Sequence, residues 1–130
     1  MVGEEFPLPI SRKEPKMKLQ EETVGNVTIF HLTGKIMGGP ETQEIRNRLK
    51  ELIASGKQFL VLNFQDVRWI NSTGVGVIIS CLITLRNRGG DVRFANLHGA
   101  TQHYFHITKL DIIVEIFDSI DDAVASFSEA

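Results

Sequence analysis

The stretch Ile70-Asn71-Ser72-Thr73-Gly74-Val75-Gly76 decides how this chain is read. Before it comes Phe59-Leu60-Val61-Leu62, an apolar run suited to a strand covered on both faces. After it, Ser72 to Arg88 predicts a helix closed by Gly89-Gly90, with Arg86 and Arg88 favouring the negative end of its dipole. The quoted residues are therefore a strand-to-helix junction. Two hydroxyls, Ser72 and Thr73, stand at the helix start, where backbone N–H groups are unpaired and the dipole is positive. Gly74 and Gly76 remove side chains that would shield that end.

Outward from the junction, the pattern alternates. Met17 to Glu21 predicts a first strand, Gly25-Asn26 a turn, and Val27 to Thr33 a second strand. Pro40, after Gly38-Gly39, fits a first helical position, and Ile45, Leu49, Leu52 and Ile53 make one apolar stripe that stops before Gly56. Beyond the central helix, Val92 to Ala95 predicts a strand, residues 99–108 a short helix, and Ile112 to Phe117 a last strand. Ser119-Ile120-Asp121-Asp122 reads as the cap of a terminal helix carrying Ala123, Val124 and Phe127. This order implies an α/β layer fold with crossover helices. Residues 1–16 hold Pro7, Pro9 and Pro15 without periodicity, which predicts a flexible extension or an expression leader ahead of a domain spanning 17–130, with Met17 an alternative start.

Composition narrows the classes. The 130 residues carry 14 Lys+Arg against 16 Asp+Glu, a net charge of −2, which argues against direct nucleic-acid binding. Hydrophobic residues at 42% and charged residues at 23% match a folded soluble domain. One cysteine, Cys81, excludes an internal disulfide framework and suits the reducing cytoplasm. The most apolar run, Val75 to Leu85, is far short of the ~18 residues of a membrane span, so no membrane insertion is expected.

The junction admits two readings. In one, Ser72 or Thr73 caps the helix and the glycines serve packing. In the other, a hydroxyl is displayed for modification, since a helix N-terminus tolerates an added phosphate. Elsewhere the signals are thin. His98, His103 and His106 lack a further ligand spaced for metal, Ser72 lacks a nucleophile-elbow setting, and no phosphate loop occurs, so neither a cofactor nor an enzyme activity is expected. Cys81 reads as a small core residue; Trp69 is read equally as core packing or as a contact residue.

At the junction the chain resembles the STAS domains, named for sulfate transporters and anti-sigma factor antagonists. Leu32-Thr33-Gly34, the strand Phe59 to Phe64 and above all Asn71-Ser72-Thr73-Gly74-Val75-Gly76 carry the resemblance, which runs from about Met17 to Phe127. It implies a single domain with a central mixed sheet of four to five strands and about four flanking helices. It further implies an anti-sigma factor antagonist whose partner is an anti-sigma factor that is also a serine/threonine kinase, with ATP as that kinase's substrate. Thr73 stands at the family's phosphorylated position, with Ser72 a minor acceptor. Unphosphorylated, such a protein binds the kinase and frees the sigma factor; phosphorylated, it lets go. The implied contact surface comprises Met37, Gly38, Gly39, Asn71, Ser72, Thr73, Gly74, Val75 and Gly76, with the outer face of the second helix. Where relatives often carry acids, this chain has Met37, Asn63 and Asn71, which predicts a more neutral surround for Thr73. The same departures favour an alternative: an unphosphorylated STAS scaffold in a stress-signalling assembly, or a regulatory partner of a membrane transport system.

Overall fold

The computed structural model describes residues 20–128; the N-terminal extension expected over 1–16 and the start of the strand expected at Met17 lie outside them. The elements are β1 (Gln20–Val24), β2 (Val27–Ile36), α1 (Pro40–Ala54), β3 (Phe59–Ile70), α2 (Ser72–Asn87), β4 (Asp91–Ala95), α3 (Gly99–Ile107), a 3-10 turn (Leu110–Ile112), β5 (Glu115–Phe117) and α4 (Ile120–Ser128). The strands form one sheet in the order β1-β2-β3-β4-β5. β1 runs antiparallel to β2, and every later pairing is parallel. The α/β fold expected from the alternation of elements, with the mixed sheet that the resemblance implies, is what the chain adopts.

Each strand is laid beside the one before it, so right-handed crossovers put α1, α2 and α3 on the same face. Ile45, Leu49, Leu52 and Ile53 of α1 are all buried there, against Leu60, Leu62 and Phe64 of β3. Phe64 stacks on Phe94 at 5.3 Å between ring centroids, and Phe105 of α3 meets both rings edge-on. The opposite face is covered by α4, with Ala123 packed among Val27, Ile29, Val61 and Ala95. Arg93 fastens that helix: its guanidinium lies 4.2 Å from the Phe127 ring centroid and donates to Ser126 Oγ. Ser119 caps α4 as expected, its Oγ accepting from the Asp122 N–H at 3.0 Å.

Four strands depart from their sequence reading. β2, expected to end at Thr33, runs on to Ile36. β3 was expected to end at Phe64 but continues to Ile70, because two irregularities each insert a residue opposite β2. His31 and Thr33 face Asn63 and Asp66, and Gly34 and Lys35 face Val67 and Trp69. Each bulge breaks the two-residue alternation that would have disclosed the strand. Val67 and Ile70 consequently both point into the core. The last strand, expected over Ile112 to Phe117, shrinks to Glu115–Phe117, which pairs with Arg93 to Ala95. Ile112 and Ile113 instead lie exposed around the 3-10 turn, after Lys109 reverses the chain at φ 64°. The first strand, described from Gln20, ends at Val24 rather than Glu21, extending to the turn at Gly25.

Packing is tight where α2 hands over to β4. A Cβ on Gly90 would lie 2.1 Å from the Gln58 carbonyl oxygen, which accepts from the Asp91 N–H. Gly90→Ala should therefore lower unfolding stability by about 1–3 kcal/mol, the usual range for overpacking, in a denaturant titration. An unchanged midpoint and slope would contradict the close approach.

Candidate functional site

β2 and β3 end side by side at Ile36 and Ile70, and both long helices begin just beyond them. Asn71 joins the four elements. Its N–H donates to the Ile36 carbonyl at 3.2 Å, its side-chain Oδ1 accepts from the Gly74 N–H at 2.9 Å, and its Nδ2 donates to the Met37 carbonyl at 3.1 Å. Asn71 is therefore the N-cap of α2, a role the sequence reading assigned to Ser72 or Thr73. Those two residues, one and two places later, are already the first and second positions of the helix. The Asn71 amide uses two separate atoms, Oδ1 accepting from the helix and Nδ2 donating to the loop.

The cap leaves the hydroxyls free. Ser72 and Thr73 are both exposed, and their backbone N–H groups have no partner among the described residues. No acidic residue stands in the first turn of α2 itself; the carboxylate at this end of the molecule is Glu41, in the first turn of α1. The Thr73 side chain has a defined orientation. A Cβ built on Gly38 would sit 2.7 Å from Thr73 Cγ2 but 3.8 Å from Oγ1. The methyl is packed on the loop and the hydroxyl is turned away from it.

Glycine is required at two positions here. Gly38 has φ 97°, and its N–H donates at 2.7 Å to Oγ1 of the fully buried Thr42, which pins the loop to α1. A Cβ on Gly74 would meet the Ile36 carbonyl oxygen at 2.3 Å, so only glycine lets α2 start this close to β2. Gly76 is different: it is exposed, and a Cβ there would meet nothing within 4 Å.

Of the expected contact residues, Met37, Gly38, Gly39, Asn71, Ser72, Thr73 and Gly76 are exposed or half-buried at this end of the molecule. Gly74 and Val75 are buried, Val75 at 7% exposure, because they face the strand ends. Their burial holds the start of the helix in place. Trp69, left open between core and contact by its sequence context, is at the surface; it and Met37 are each 41% exposed.

Asn63 is not a neighbour of Thr73. It precedes Ile70 by seven residues, roughly 20 Å along a strand at ~3.3 Å per residue. Its side chain is locked in a separate network, with Nδ2 at 2.9 Å from His31 Nδ1 and Oδ1 accepting from the Gln65 N–H and from Asn96 Nδ2. The neutral surround of Thr73 is thus the work of Met37 and Asn71. His98 lies 2.8 Å from the Gln65 carbonyl, and His106 3.1 Å from Asp111, a partner its sequence spacing did not disclose. Among the described residues no group of three or more His, Cys, Asp or Glu side chains is placed to hold a metal ion. Cys81 is buried, and burial pushes its thiol pKa up. No described helix is long and apolar enough to cross a membrane.

Residues 18–123 match the STAS domain family, and the chain belongs to it. A Thermotoga maritima protein named a candidate anti-sigma factor antagonist is 35% identical over 68 residues, which are 52% of this chain and 58% of that one. The chain's matches span about two-thirds or less of the Thermotoga relatives' lengths. The fold is similar to the crystal structure of a candidate antagonist from Thermotoga maritima, with TM-score 0.77 and 23% identity over 83% of this chain and 92% of that one. It is also similar to the Bacillus cell fate determinant SpoIIAA in its phosphorylated form, with TM-score 0.68 and 19% identity over 85% and 99% of the two chains.

Two substitutions check the geometry. Asn71→Ala should lower stability by about 1 kcal/mol through loss of the cap, read by thermal melting. Gly38→Ala should cost about 1–3 kcal/mol from strain and from collision with the Thr73 methyl. Adding Thr73→Ser should recover part of that loss; a double variant no more stable than Gly38→Ala would show that the methyl does not pack there.

Proposed function

We propose that this protein is an anti-sigma factor antagonist that docks its α2 start on an anti-sigma factor with serine/threonine kinase activity. Docking frees the sigma factor, and phosphorylation of Thr73 ends it. In that step the γ-phosphoryl group of ATP passes to Thr73 Oγ1, the hydroxyl proton is released, and ADP leaves. Ser72 is the minor acceptor, and the cytoplasm is where such a partnership operates. The observation that carries the reading is the Thr73 hydroxyl itself, turned away from the loop by a methyl packed on Gly38 and standing on a helix N-terminus with no acid in its first turn.

Two further features support it. Helix α2 accepts the product, because unpaired amides and the dipole favour an added anion. A partner pressed against exposed Met37 and Trp69 does not. Phosphate adds about −1.5 to −2 charges, and burying them without a cation costs several kcal/mol. The second feature is Gly76. Glycine within a helix costs about 1 kcal/mol relative to alanine, and nothing in the isolated fold requires it there. Its bare backbone suits the close approach of another surface, beside Thr73 and the loop at Gly38-Gly39. The names of the Thermotoga relatives, and the description of SpoIIAA in unphosphorylated and phosphorylated forms, are consistent with this reading.

Incubation with the cognate kinase and ATP should add one phosphate by mass to the wild type and none, or a trace at Ser72, to Thr73→Ala. Full uptake by Thr73→Ala would overturn the site. Thr73→Glu should weaken kinase binding at least tenfold in calorimetry. Gly76→Ala should raise the melting temperature while weakening the complex; a stabilised variant that binds normally would remove Gly76 from the interface. A partner captured tightly but unable to phosphorylate Thr73 would favour the scaffold alternative, which the neutral Met37 and Asn71 also suit.

A further inference from the structure

Away from Thr73, the facing sides of α1 and α2 enclose a groove of about 270 Å³, just under the ~300–1,000 Å³ of ordinary ligand sites. Ile53 of α1 and Val77 and Cys81 of α2, all nearly buried, are among its apolar lining. Three cations stand around it: Arg46 and Lys50, one turn apart on α1, and Arg88, which caps the C-terminus of α2. No carboxylate lines it.

Unpaired cations also occur at Lys35, Lys57, Arg68 and Lys109 among the described residues, but none of them lines this groove, where three converge. Arg48, on the same helix, pairs with Glu21 and Glu51, Arg86 with Asp91, and Arg93 with Asp91 and Glu115. Arg46 and Lys50 have no ion pair or hydrogen bond among the described residues, and Arg88 makes only a long 3.4 Å contact to the Ile53 carbonyl. Like charges at i and i+4 repel on a helix, and Arg88 adds a third from the opposite wall. The Cys81 thiol beside them stays protonated because burial raises its pKa, so it does not neutralise the cluster.

Uncompensated cations over an apolar floor are complementary to one kind of occupant. We infer that the groove binds a small amphipathic anion, a carboxylate or phosphate monoester on an apolar body. Arg46, Lys50 and Arg88 hold the anionic group, two of them through planar guanidinium forks suited to paired oxygens, and Ile53, Val77 and Cys81 take the apolar body. The site is separate from the Thr73 surface and stands whether or not Thr73 is phosphorylated.

Octanoate and hexyl phosphate, each below its micelle concentration, are the probes, with octanol and inorganic phosphate as matched halves. In amide NMR titrations the two amphiphiles should shift resonances of α1 and α2 around Arg46, Lys50, Val77 and Cys81 with saturable curves, and each half alone should not. Cys81 is the chain's one cysteine, so maleimide labelling reports on the groove directly and should slow when either amphiphile is bound. Arg46→Gln combined with Lys50→Gln should weaken binding at least tenfold while the fold is retained, and exposed Lys57→Gln, outside the groove, should leave it unchanged. Equal shifts with octanol, equal weakening by Lys57→Gln, or an acidic peptide saturating these residues while the amphiphiles do not would each overturn the inference. Preference between the two amphiphiles assigns the anionic group.

Discussion

The backbone of α2 lies against the end of β2 at a distance no side chain would allow. With a Cβ on Gly74 only 2.3 Å from the Ile36 carbonyl, helix and strand meet backbone to backbone, and the rest of the site is arranged around that contact. The approach brings the first turn of α2 level with the loop that follows β2. Asn71 can then reach both, capping the helix and holding the Met37 carbonyl with one side chain. The Thr73 methyl can then rest on Gly38, whose own amide is tied to Thr42. Moving the helix outward by the width of a methyl group would undo all three, because hydrogen bonds weaken steeply beyond ~3.2 Å.

The strand beneath supplies the second constraint. β3 outruns β4, which pairs with it only from Phe59 to Asn63, so the last residues of β3 are held by β2 and by α3. Phe64 and Ile70, six residues apart, share the core face with or without the bulges, and Trp69 faces the other way. The two insertions act between them: a straight alternation would have turned Val67 away from that face, and the shifted phase buries it with Phe64 and Ile70. Bulges re-aim side chains in this way.

How much of this is legible in the sequence depends on range. The stripe Ile45, Leu49, Leu52 and Ile53, the proline at the start of α1 and the glycines after α2 are local signals, and each matches its element. The end of β3 is not local: its bulges exist only relative to β2, and Gln65 to Trp69 read as polar chain. The capping role was misplaced by one residue for a related reason. Any of Asn71, Ser72 and Thr73 can cap a helix in isolation. The choice falls to Asn71 because the Met37 carbonyl, distant in sequence, needs a donor. Asn63 shows the reverse error, since motif proximity suggested a place near Thr73 that the length of the strand forbids.

The neutrality of the junction then has a structural reason that does not depend on modification. A carboxylate at position 71 would still cap α2, yet it could not donate to the Met37 carbonyl and would set an oxygen of like charge against it. An asparagine there keeps the loop closed and places no charge of its own at the positive end of the helix. In a chain of net charge −2, the α2 start is thus a place where an added anion is stabilised by the fold it joins. Under the proposed function, its consequences fall on the partner surface that would meet Met37, Trp69 and the bare backbone at Gly76.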